Sequence, residues 1–138
     1  MTLRHEVLAD GVLRLTLDRP QAANALNAAL HAALVSALGD AAGHAAIRAV
    51  LLAAAGGRAF SGGADLREVF DMAPEAARAH RRAMLLRTLD AAIGFPKPLV
   101  AVIRGKAVGA GAMLALLADE VVMESGASLA MPEIAIGM

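Results

Sequence analysis

Cysteine, tryptophan and tyrosine are all absent from this chain of 138 residues, and three phenylalanines are its only aromatic side chains. Without cysteine there is neither a disulfide nor a thiolate metal site, and no metal site is expected; this fits a reducing, cytoplasmic setting. With so few rings, few large pockets lined by aromatics are expected. Charge of one sign is missing too, since 13 basic side chains balance 13 acidic ones. Such a balance leaves no electrostatic footprint for nucleic acid or an anionic membrane surface. The opening MTLRHEVLADG contains no apolar secretion core. The longest apolar run, Ala107 to Ala118, falls short of the roughly 18 residues that suggest a membrane span.

What is present is small and aliphatic. Hydrophobic residues make up 58% of the chain, mostly alanine, leucine and valine. That suffices for one closely packed domain over residues 1–138. The stretch that organises it is KPLVAVIRGKAVGAGAML at 97–114. Leu99 to Ile103 reads as a buried strand, because branched apolar residues follow one another without polar alternation. Gly105, Gly109 and Gly111 then form a turn, and Ala112–Ala118 reads as a helix. A strand, a glycine turn and a helix start together aim unpaired backbone N–H groups at whatever sits in the turn. GGRAFSGGAD at 56–65 is a second glycine turn behind a strand at 45–55, centred on Val50-Leu51-Leu52.

The other segments alternate strand with helix. Asp10-Gly11 between apolar runs is a hairpin signal. Leu26, Leu30, Leu34 and Leu38 recur every fourth residue, predicting a helix from Ala25 to about Gly39 with Asn24 as its N-cap. His31 on that helix reads as structural, since no second ligand lies one turn away. Asp65 and Glu68 have the spacing of a reciprocal capping box. Pro74 opens a helix to about Phe95, with Leu85, Leu89, Ala92 and Ile93 inward and Arg78, Arg81, Arg82 and Arg87 on a solvated face. Strands follow at Asp119–Glu124 and Ser128–Met131. The alternation predicts an α/β fold with helices covering a mostly parallel sheet.

Two glycine turns at strand ends suggest a two-donor hole for charge developing on a carbonyl oxygen. A carboxylate beside it could move a proton on the adjacent carbon, and Glu133, fixed by Pro132, is the best-placed candidate. Four blocks carry a resemblance: LDRPQAANALN at 17–27, GGRAFSGGADL at 56–66, KPLVAVIRGKAVGAGAMLALLADEVV at 97–122 and SLAMPEIAIGM at 128–138. In their order and spacing the chain resembles the crotonase superfamily, the enoyl-CoA hydratase/isomerase group.

The resemblance implies an α/β spiral of ββα repeats, here truncated before the family's C-terminal helical part. It implies an acyl-CoA thioester as ligand, coenzyme A being part of the substrate and no cofactor needed, and a homo-oligomer, a trimer or hexamer. It implies oxyanion donors at the backbone N–H groups of Ala64 and Ala110, and a catalytic Glu133. Ala23, Ala25, Ser61, Gly63, Asp65 and Leu66 fall where the family holds the CoA moiety and thioester. Two positions depart from the family: Ala110 replaces a usual glycine, and Met113 stands where hydratases carry a second glutamate. Adding water across a double bond uses two carboxylates, so a single-glutamate isomerase-like or hydrolase-like mechanism is favoured.

A non-catalytic acyl-CoA-binding or assembly module is the alternative. Dinucleotide binding at Val108-Gly109-Ala110-Gly111 is weaker, because the third glycine is missing and no acid lies at the right distance beyond. A serine hydrolase is weaker still: Ala59 replaces the glycine that a nucleophile elbow at Ser61 requires.

Overall fold

The structure, a computed structural model, describes residues 2–135 and 137. β1 (Leu3–Val7) and β2 (Val12–Leu17) form an antiparallel hairpin. Asp10 and Gly11 turn its corner at φ 64° and 78°, the left-handed pair that short hairpins favour. After β2 come helix α1 (Ala28–Gly43), strands β3 (Ala49–Ala54) and β4 (Ala59–Ser61), and helix α2 (Pro74–Ile93). Strands β5 (Leu99–Ile103) and β6 (Lys106–Val108), helix α3 (Ala110–Leu116), and strands β7 (Glu120–Met123) and β8 (Ser128–Ala130) complete the order.

Successive strand pairs divide between two sheets. The larger runs β1-β2-β3-β5-β7, parallel from β2 onward; the smaller runs β4-β6-β8 and is parallel throughout. β1 and β2 both lie in the large sheet; from β3 onward each successive pair places its first strand in the large sheet and its second in the small one. This is the α/β spiral that the resemblance implies.

The core lies between the large sheet and the helices. Leu15 and Leu17 from β2, Leu30 and Leu34 from α1, Phe60 from β4 and Ile103 from β5 are all at most 1% exposed. Each contributes about 2 kcal/mol through burial. β5 itself alternates: Leu99, Ala101 and Ile103 are buried, while Val100 and Val102 are only half-buried. One face of that strand packs on the core; it is not enclosed on both faces as its unbroken apolar run suggests.

Three local expectations are corrected. Helix α1 starts at Ala28, capped by Asn27, whose side chain accepts from the Leu30 N–H, and it continues past Gly39 to Gly43. Leu26 continues the leucine periodicity but forms a parallel bridge with Ala64 instead. Asn24, 1% exposed, is held outside the helix by the Ala55 and Ala59 carbonyls and the Arg19 N–H. On α2, Ala77, Thr88 and Ala92 are the buried positions, Leu85 and Leu89 are half-buried, and Ile93 is exposed.

Candidate active site

All three strands of the small sheet run the same way, so their C-terminal ends emerge on one side. β4 leads into Gly62-Gly63-Ala64, β6 into Gly109-Ala110, and β8 into Pro132-Glu133. β6 lies in the middle, with neighbours roughly 4.8 Å away on each side. Ala110 is therefore flanked by Ala64 on one side and Glu133 on the other. Three segments far apart in sequence converge because their strands are parallel.

Local pairing leaves the two alanine amides free. In the bridge around Ala64, Leu26 donates to the Gly63 carbonyl at 2.7 Å and Asp65 donates to the Leu26 carbonyl at 3.0 Å. Both bonds use the residues flanking Ala64 and none uses its own N–H. Ala110 is the first residue of α3, where the helix supplies its N–H groups no carbonyl. Among the described residues neither amide has a hydrogen-bond acceptor. The two turns also pack closely: a Cβ on Gly63 would stand 3.0 Å from the Val108 carbonyl oxygen and 3.7 Å from the Ala110 nitrogen.

Glu133 faces the same place. Its Oε1 lies against Gly109, and its Oε2 is buried without a hydrogen-bond partner among the described residues. Leaving a buried acceptor unpaired costs about 1–3 kcal/mol, which marks a group awaiting a ligand. Two hollows border Glu133 and a third lies beside the two alanines. One of about 650 Å³ brings Ala110, Met113 and Glu133 together; one of about 210 Å³ joins Gly63, Ala64, Leu66 and Glu133; one of about 250 Å³ contains Ala64, Ala110, His31 and His80.

The remaining candidates occupy varied surroundings. Ala23, at φ 52°, accepts from the Gly62 N–H through its carbonyl, and the Ala25 carbonyl accepts from Arg19. Ser61 is fully buried, its Oγ accepting from the Gly63 N–H at 3.2 Å, and a Cβ on Gly111 would come within 2.6 Å of its Cβ. It shapes the turn from behind. Leu66 is 53% exposed at the rim.

Asp65 accepts from Arg67 and Arg19, both at 2.9 Å, and these partners hold its carboxyl well below the usual carboxylate range. Its carboxylate also accepts from the Arg67 N–H, as an N-cap does. The other half of the expected capping box is corrected: Glu68 accepts from the Ala28 N–H with both oxygens, closing the start of α1. His31 is structural as expected, joined to Thr88 at 2.7 Å between α1 and α2, and burial pushes its imidazole below the usual value.

On the arginine face of α2, Arg78, Arg82 and Arg87 are exposed, as a solvated face requires, and Arg81 is half-buried. Arg78, Arg81 and Arg82 border the 250 Å³ hollow, and Arg81 borders all three. Their spacing along the helix was visible in the sequence. What they face depends on how α2 lies over the strand ends.

Comparisons with known proteins agree with this architecture. The family model described as enoyl-CoA hydratase/isomerase matches residues 8–138. The chain is 43% identical to the 2,3-dehydroadipyl-CoA hydratase of Escherichia coli, over 92% of this chain and 48% of that protein. It is 32% identical to the carnitinyl-CoA dehydratase of Escherichia coli, over 92% of this chain and 48% of that protein. An enoyl-CoA hydratase structure from Bacillus anthracis superposes with a TM-score of 0.95 at 32% identity, covering 100% of this chain and 53% of the other. The chain thus spans about half the length of the relatives it matches. No helix among the described residues is long and apolar enough to cross a membrane. The match runs through both glycine turns and the Pro132-Glu133 segment, and the chain belongs to the enoyl-CoA hydratase/isomerase family.

Proposed function

We propose that this chain binds an acyl-CoA thioester and moves a proton on the carbon next to its carbonyl. The Glu133 carboxylate takes the α-proton, the electron pair moves onto the thioester oxygen, and the Ala64 and Ala110 N–H groups hold the resulting enolate. For a 3-enoyl thioester, returning that proton from Glu133 to the γ-carbon moves the double bond to the 2-position and completes an isomerisation. The observation that carries this reading is the convergence of two unpaired amides with an unpartnered carboxylate oxygen at adjacent ends of one small sheet.

Met113 supports a single-glutamate route. It lines the Glu133 hollow where the family's hydratases carry a second acid, and a thioether cannot activate water. An isomerase-like or hydrolase-like course is favoured over water addition, although the relatives bear hydratase and dehydratase names. The reading includes a homo-oligomer, a trimer or hexamer, supported by the exposed Phe70, Ile93 and Val122, and a cytoplasmic location, supported by the lack of cysteine. No cofactor is invoked beyond the coenzyme A of the substrate.

The test is conversion of 3-hexenoyl-CoA to 2-hexenoyl-CoA, followed by chromatography. Glu133→Gln is expected to reduce turnover at least about hundredfold, with a far smaller effect on affinity. Unchanged turnover in the variant overturns the role given to Glu133. Binding without turnover in the unaltered chain selects the second reading, a non-catalytic acyl-CoA-binding module, which the methionine at 113 also supports.

A further inference from the structure

The 250 Å³ hollow beside the two amides holds the second buried side-chain atom that lacks a hydrogen-bond partner among the described residues, His80 Nε2. Its nearest carboxylate oxygen, on Glu68, is 3.9 Å away, beyond hydrogen-bonding reach. Each acid in the lining already has partners: Glu68 the Ala28 N–H, Asp65 the guanidinium groups of Arg19 and Arg67. The cations do not. Arg78, Arg81 and Arg82 form no ion pair among the described residues. Among the described residues, three guanidinium groups without an ion pair thus line the hollow against one carboxylate that no arginine pairs, Glu68. A neutral N–H binds that carboxylate, which lies 3.9 Å from His80 Nε2.

Apolar side chains lie between these groups and the amides. Leu26, Val69 and Leu85 line the same hollow as Ala64 and Ala110. A thioester whose oxygen meets the two amides can extend a methylene chain along those side chains and present its far end to the cations. Apolar walls with a few placed polar groups fix which end of a ligand goes where. We infer that this hollow selects acyl groups ending in a carboxylate, with Arg81 and His80 Nε2 recognising the anion. The inference rests on the acyl-CoA reading above and names the substrate class within it. Both charge-assisted hydrogen bonding and the rarity of unpaired buried nitrogens support an anion as the occupant.

Titration calorimetry with three ligands tests it: adipyl-CoA, hexanoyl-CoA and free coenzyme A. Adipyl-CoA is expected to bind at least about tenfold tighter than hexanoyl-CoA, one charge-assisted hydrogen bond sufficing for that ratio. Arg81→Gln and His80→Gln should each collapse the ratio towards one. Arg81→Lys, which retains the charge, should preserve part of it and serves where the glutamine variant does not fold. Equal affinities for the two thioesters in the unaltered chain overturn the inference and leave the acyl-CoA reading standing. Equal losses for all three ligands in the variants place the arginines on coenzyme A phosphates and also overturn it. If neither thioester binds, the acyl-CoA reading itself falls, and this inference with it.

Discussion

Gly109 and Glu133 divide one small volume between them: a Cβ on Gly109 would fall inside the contact distance of Glu133 Oε1. Gly109 also sits at φ 54° and ψ −122°, a conformation that a side chain strongly disfavours. Gly109→Ala should therefore lose about 1–3 kcal/mol of stability and displace the carboxylate. The expected result is a lower unfolding midpoint together with at least a tenfold loss of 3-hexenoyl-CoA isomerisation. A folded variant with full turnover would contradict the placement of Glu133.

Asp65 gives the clearest pH dependence. Hydrogen bonds from Arg67 and Arg19 depress its carboxyl pKa in the folded chain, whereas in the unfolded chain it titrates near the ordinary value of about 3.9. Below that value the unfolded state binds more protons, so stability falls as pH drops. The contribution is complete above about pH 5 and drains away as the medium acidifies through pH 4 and below. Asp65→Asn is expected to cost about 2 kcal/mol at pH 7 and progressively less towards pH 3. Urea unfolding of both proteins across that range checks it; a pH-independent difference would contradict it.

Lys97 ties the approach to β5 to the end of α1. Its Nζ donates to the carbonyls of Ala41, His44 and Ile47 at 2.6, 2.8 and 2.7 Å. Lys97→Met removes all three donors and leaves the carbonyls to find water, at an expected cost of about 2 kcal/mol. Lys97→Arg should not restore the full stability, because a planar guanidinium cannot meet three converging oxygens as an ammonium does. Denaturant midpoints for the three proteins settle the order.

The Asp10-Gly11 hairpin and the strands through Val50 and Leu99 were legible because their signals are local: turn chemistry and apolar runs. The start of α1 was not. Asn24 and Asn27 are equally good caps in isolation, and the choice falls to Asn27 because Asn24 is bound by carbonyls more than thirty residues away. Glu68 likewise has the right spacing for Asp65, yet the start of α1 lies nearer its carboxylate. At the site, the glycine turns and Glu133 could be read as pieces. Their meeting depends on strand direction in a sheet of three-residue strands, which carries almost no periodicity. Arg81 and His80 were visible only as members of a polar helix face. What they border follows from the packing of α2 over α1 and α3.

The three-strand sheet has an evolutionary consequence. Its two proposed donors belong to the peptide chain, not to side chains, so the hole can persist while the letters at positions 64 and 110 drift among small residues. Selection at these positions acts on what a side chain obstructs. Divergence among such proteins should therefore be written in the walls, above all along α2, and only faintly in the hole itself.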